Sequence, residues 1–237
     1  MMIFKRKKRT DEAPVEPGVA AEQATEQDAA RGPFDAAEAP ENDAYIDLGS
    51  LRVLPVEGMQ MRLEIEDKTK RVIAVALEMD GSRIQLQVFA APKSEGLWPR
   101  IQEQIAAGID KQGGKVDTIT GRFGDELVAR VPAKRPDGTQ GVMVARFLGF
   151  DGPRWFLRGV IGGPAALDRE KARVLEERME LAIVDRGESP MPPSELLPLK
   201  VPEGATPRTA EQQQGSDADR NAAPKPPERG PEITEIG

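Results

Sequence analysis

The runs GVMVARFLG (residues 141–149) and PRWFLRGVI (153–161) are apolar at nearly every position, and only Phe150, Asp151 and Gly152 separate them. A strand covered on one face alternates apolar and polar side chains, whereas one covered on both faces reads as an unbroken apolar run. Two such runs joined at Asp151-Gly152, a pair suited to a tight turn, predict a hairpin at the centre of a sheet. Each run holds one arginine. Because side chains alternate along a strand, Arg146 shares a face with Trp155 and Leu157, and Arg158 shares the other with Phe147 and Phe156.

Upstream, the apolar period is 2. Met59, Met61, Leu63 and Ile65 alternate with polar residues, as do Ile73, Val75 and Leu77, then Ile84, Leu86 and Val88. Asp80-Gly81 marks a hairpin whose turn residues both need positive φ. The period then changes. Leu97, Ile101, Ile105 and Ile109 recur every fourth residue, which predicts a helix from Leu97 to Lys111 with Trp98 on the border of its stripe. Gly113-Gly114 stops it. Residues 115–120 and 127–131 give two further strands, with a turn at Pro136-Asp137-Gly138. After the central hairpin, Leu167, Ala172, Leu175, Met179 and Ile183 predict a second helix starting at Pro164, with a short strand at 183–186.

The order β-β-β-α-β-β-β-β-α, with successive hairpins, gives an α+β fold: an antiparallel sheet of about seven strands covered by two helices, on opposite faces or as one layer. No glycine-fingerprinted βαβ unit for a dinucleotide is present. The folded domain spans residues 45–200. Residues 1–44 read as a disordered segment, basic and then acidic: 5–9 are KRKKR, and 11–44 hold ten acids and one Arg. Such a stretch buries too little apolar surface to offset chain entropy. Residues 201–237 read as a disordered Pro-rich tail, with a short docked stretch at Leu196–Val201. The formal charge of −7 lies in these flanks, since residues 45–200 hold 23 acids and 23 bases.

The chain has no Cys and no His. Disulfides, thiolate nucleophiles, Cys-ligated metal, the commonest general base and the Ser-His-Asp arrangement are therefore excluded. No run of about 18 apolar residues offers a membrane span. No catalytic, cofactor-binding or metal-binding motif stands out. Gly159, Gly162 and Gly163 precede a helix, but without the Lys-Ser/Thr of a phosphate loop they read as ordinary strand-end glycines. The adjacent acids Asp125-Glu126 and Glu176-Glu177 diverge on a strand and on a helix, so they read as solvated charges.

Four residues are candidates for ligand or partner contact: Arg146, Arg158, Trp98 and Trp155. A guanidinium does not shed its charge, so each arginine needs a carboxylate, carbonyls, water or an anion. Arg158 is expected opposite Ala145 and Met143, with Glu126, Glu176 or Glu180 as its acid. The aromatic residues read first as core packing. A neutral domain in an acidic protein argues against nucleic acid.

The blocks RFLGFDGPRWFLRGVIGG (146–163), GLWPRIQEQIAAGI (96–109) and LGSLRVLP (48–55) resemble the signature blocks of an uncharacterised actinobacterial domain family. Its members are often encoded near a dUTPase, and no activity is implied by the resemblance. The WFLRGVIGG strand and the helix ending in IVDRG are similar to the PsbP-like fold, which implies a sheet sandwiched by helices.

The expectation that follows is a cytoplasmic, non-enzymatic module without cofactors that binds an unknown protein partner. One alternative is a small-ligand or nucleotide-related binder or enzyme using Arg146 and Arg158. Another is a peripheral tether at the inner face of the membrane through residues 1–9. There Lys5, Arg6, Lys7, Lys8 and Arg9 follow four apolar residues and attract anionic lipid by about 1 kcal/mol each.

Overall fold

The computed structural model describes residues 32–40, 42–134 and 138–202, all within a unit that begins at Gly32. In sequence order they form β1 (Phe34–Asp35), β2 (Ile46–Asp47), β3 (Leu51–Val53), β4 (Gln60–Ile65), β5 (Val72–Met79), β6 (Ser82–Ala90), α1 (Trp98–Lys111), β7 (Lys115–Gly121), β8 (Gly124–Lys134), β9 (Gln140–Gly152), β10 (Trp155–Gly162), a 3-10 turn (Pro164–Ala166), α2 (Arg169–Glu180) and β11 (Ile183–Val184). The basic stretch at residues 5–9, the Pro136-Asp137 turn and the tail from residue 203 lie outside the described residues.

Strands β4 to β10 make one antiparallel sheet in the order β4-β5-β6-β10-β9-β8-β7. The expected strand and helix order is therefore that of the large sheet and its helices. Asp80 and Gly81 have φ of 49° and 72°, as a tight hairpin between β5 and β6 requires. The central hairpin differs from expectation. Gly152 pairs with Trp155, so Pro153-Arg154 form the turn in place of Asp151-Gly152, and Arg154 takes the positive φ, 63°. The register moves so that Arg158 faces Gly149 on β9 and Gln87 on β6, not Ala145 or Met143. The partner on β9 moves by four residues, an even number. Every side chain keeps its expected face because the strand period is 2.

The helices cover opposite faces. On one face, α1 packs on β7, β8 and β9. Its Leu97, Trp98 and Ile109 join Leu127, Ala129, Phe147, Phe156 and Val160 in one core. On the other face, α2 packs on β6 and β10, and Ala172, Leu175 and Met179 join Leu86, Leu148, Trp155, Leu157 and Ile161 in a second core. The α2 helix starts later than expected. Pro164 opens the 3-10 turn, and Asp168 caps α2 by accepting from the Glu170 and Lys171 amides. Leu167, expected in the apolar stripe, lies before that cap and is exposed.

A second, four-stranded sheet has the order β1-β11-β3-β2. Here β1 runs parallel to β11, and the other pairs are antiparallel. The fold therefore starts before residue 45. Phe34 and Asp35, read as part of a disordered segment, pair with Ile183 and Val184, and the Trp155 indole N–H donates to the Asp35 carboxylate at 2.8 Å. The docked C-terminal stretch links the two sheets. The Leu197 amide donates to Val88 and the Lys200 amide to Leu48, while Pro198 accepts from Ser50. Leu197 is buried in the α2-side core.

Candidate functional site: two arginines on opposite faces

The β9 and β10 strands carry the two arginines to the middle of the sheet, and the surroundings treat them in opposite ways. On the α2 face, Arg146 is 2% exposed and Glu126 of β8 is fully buried. Val128 pairs with Arg146, so Glu126, two residues along, shares its face. The Arg146 Nε lies 3.5 Å from Glu126 Oε2, and its Nη2 bonds Glu176 of α2. Glu126 fits because Gly121 of β7 has no side chain: a Cβ there would lie 2.1 Å from the carboxyl carbon. Burial pushes the Glu126 carboxyl above its ordinary value. The Arg146 charge and the Phe123 amide pull it back, and the Glu176 charge raises it again.

The expectation of solvated acid pairs is thus corrected at Glu126 and Glu176. The two acids lie on separate elements, and the fold brings one member of each pair onto a single guanidinium. The acids proposed for Arg158 also belong elsewhere: Glu126 and Glu176 hold Arg146, and Glu180 pairs with Arg122.

On the α1 face, Arg158 has no carboxylate within 4.0 Å among the described residues. Its Nη2 donates to the Gln87 amide oxygen. Its guanidinium carbon stands 5.3 Å from the centre of the Phe89 ring, a cation–π arrangement. Its Nε is buried without an acceptor. Gln87 is fixed in turn, because its amide nitrogen donates to the Ile73 carbonyl at 3.3 Å. Opposite Arg158, Gly149 leaves room for the Trp98 indole: a Cβ there would lie 2.3 Å from a ring carbon. Burial alone lowers the Arg158 guanidinium to about 10, which leaves it charged at neutral pH.

A family model described as a protein of unknown function matches residues 32–208, and so spans every described residue. The chain belongs to the DUF3710 family. No curated protein and no solved structure matches it. In this DUF3710 domain, both tryptophans sit in core. Trp98 lies within the α1-side core, not on the helix border, and stacks on Phe156 with ring centres 5.9 Å apart. Its indole N–H donates to the Asp125 carbonyl at 2.7 Å. Trp155 is fully buried and stacks on Phe150. Asp151 also acts at the start of α1, accepting from the Leu97 and Trp98 amides at 2.6 and 3.2 Å; it thereby supplies the cap that Leu97 itself lacks. Among the described residues of the DUF3710 domain there is no cluster of three acids placed to hold a metal, and no helix is long and apolar enough to cross a membrane.

Proposed function

We propose that the chain is a cytoplasmic accessory protein that works by binding a protein partner and performs no reaction of its own. The observation that carries this reading is the charge left on Arg158. A half-buried cation without an acid is costly to keep, yet the neighbouring strand shows the same sheet accommodating an arginine with two acids. A site that holds an uncancelled charge in a fixed orientation suits recognition. The sequence has no His and no Cys, and the two acids that converge, Glu126 and Glu176, are both engaged by Arg146.

A nucleotide-related ligand, suggested by the resemblance to a family encoded near a dUTPase, has less support. Arg146 is occupied, and a single arginine is short of the several donors that a di- or triphosphate takes. The membrane-tether reading falls on residues 1–9, outside the described residues.

The test compares proteins captured by the full-length protein and by its Arg158→Gln variant from the same lysate. The reading predicts a specific binder whose recovery drops about tenfold on the variant, the effect of losing about 1.4 kcal/mol. Identical captured sets would contradict it.

A further inference from the structure

We infer that the outer edge of β4 is a self-association surface, and that its occupant is the β4 strand of a second copy of this chain, paired antiparallel about Leu63. This stands apart from the Arg158 reading, which concerns another strand and another kind of partner.

Strand β4 closes one end of the large sheet, and among the described residues it pairs with β5 alone. A strand in that place keeps a row of backbone donors and acceptors directed away from the sheet, a template for a further strand. The edge itself is regular. Where the ladder slips, Glu64 pairs with Ala74 and Ile65 with Val72, so the extra residue is Ile73 on β5 and Gln60–Ile65 runs without an insertion. The helices have their main support elsewhere, α1 on β7, β8 and β9, and α2 on β6 and β10. The opposite end of the sheet differs, because the Arg169 guanidinium donates to the Thr120 carbonyl of β7 at 3.2 Å and so already engages that strand's backbone.

The sequence of β4 is complementary to itself. When a strand pairs antiparallel with its own copy about a twofold axis, residues equally distant from one central residue stand opposite each other. Centred on Leu63, the pairing sets Arg62 against Glu64 of the second copy, Glu64 against Arg62, and Met61 against Ile65. Opposite charges meet twice, and Ile65, which is 38% exposed, is covered by an apolar side chain. The faces are those β4 already has. Met61 and Leu63 pack at the margin of the α2-side core. Arg62 and Glu64 lie on the other face, where Arg62 pairs with Glu78 at 3.3 Å and Glu64 accepts from Gln85. Those contacts within the chain stay in place, and the second copy continues the row of charges across the axis. Moving the centre by one residue sets Arg62 against Arg62 or Glu64 against Glu64, and like charges directly opposite are destabilising. A centre further out shortens the overlap of two six-residue strands. The charges therefore select one register.

Sedimentation equilibrium of the full-length protein at pH 7 reads the association, with Arg62→Glu and Glu64→Arg variants run alone and mixed in equal amounts. The inference predicts a concentration-dependent dimer for the wild type. Each variant alone sets two like-charge pairs across the axis and should raise the dissociation constant about tenfold or more. In the mixture, one variant against the other again sets acid against base at both positions, and the dimer should return. Amide exchange of the wild type needs no variant to fold: the outward amides of Gln60–Ile65 should exchange more slowly as the concentration rises through the dimer range. A wild type that is monomeric at every concentration overturns the inference, and slow β4 amides in that monomer would show the chain's own segments covering the edge. A dimer indifferent to both variants, or one whose β4 amides exchange as fast as in the monomer, places the interface elsewhere and overturns it as well. Variants that weaken the dimer alone and fail to restore it when mixed overturn the register about Leu63.

Discussion

Arg146 and Arg158 stand on adjacent strands, three register positions apart and on opposite faces of one sheet, and only Arg146 is matched by acid. The Arg146 cluster ties three elements together, since Glu126 comes from β8, Arg146 from β9 and Glu176 from α2. Its two carboxylates against one guanidinium leave one excess negative charge, held where Glu126 has no access to water. The Arg158 site has the opposite sign and no such cross-link. The first arrangement secures α2 to the sheet. The second holds Arg158 between the Gln87 amide and the Phe89 ring of the neighbouring strand.

The burial of Glu126, with the Glu176 charge beside it, makes stability depend on pH. The Glu126 carboxyl is raised above its ordinary 4.5 in the folded state, so the folded protein binds that proton more tightly than the unfolded state does. Its contribution is therefore greatest at and below pH about 4.5, and is lost as pH rises through the folded value. Glu126→Gln removes this proton. Between pH about 4.5 and 7 the wild type should lose stability relative to the variant, and the gap between their unfolding free energies should narrow or reverse. A gap that widens in favour of the wild type as pH rises would show that Glu126 is held below its ordinary value.

Gly149 is where the Arg158 site meets the α1 core. A methyl group there collides with the Trp98 ring, which is itself held by Phe156 and the Asp125 carbonyl. Gly149→Ala should lower the unfolding free energy by about 1–3 kcal/mol, the usual range for overpacking a filled core. Chemical denaturation checks this. An unchanged midpoint would mean that Trp98 leaves its place without cost, and that the wall beside Arg158 is not rigid.

The large sheet was legible because its strands are long. Alternation over Met59–Ile65, Ile73–Leu77 and Ile84–Val88, together with Asp80-Gly81, defines three of them, and the unbroken apolar runs define the central hairpin. The small sheet was not, apart from the short strand expected at 183–186, since two or three residues such as Phe34–Asp35 or Ile46–Asp47 are too few to display a period. The faces of Arg146 and Arg158 were readable because parity survives a shift of register by an even step. Their neighbours were not, because those depend on which two residues close the turn: Asp151-Gly152 carries the stronger turn composition, yet Asp151 is drawn off to cap α1. The destination of Glu126 was hidden for another reason. Its pocket is made by the missing side chain of Gly121, on a different strand, and only pairing of β7 with β8 brings the two together.

The most direct measurement is urea unfolding at pH 7 of Arg146→Met and Arg158→Met beside the wild type. Arg146→Met leaves two carboxylates without their cation and should lose about 3–5 kcal/mol. Arg158→Met replaces an unmatched charge with an apolar side chain of similar volume over Phe89, and should stay within about 1 kcal/mol of the wild type or exceed it. If Arg158→Met instead falls as far as Arg146→Met, Arg158 belongs to the structural framework and its charge is not held in reserve for a partner.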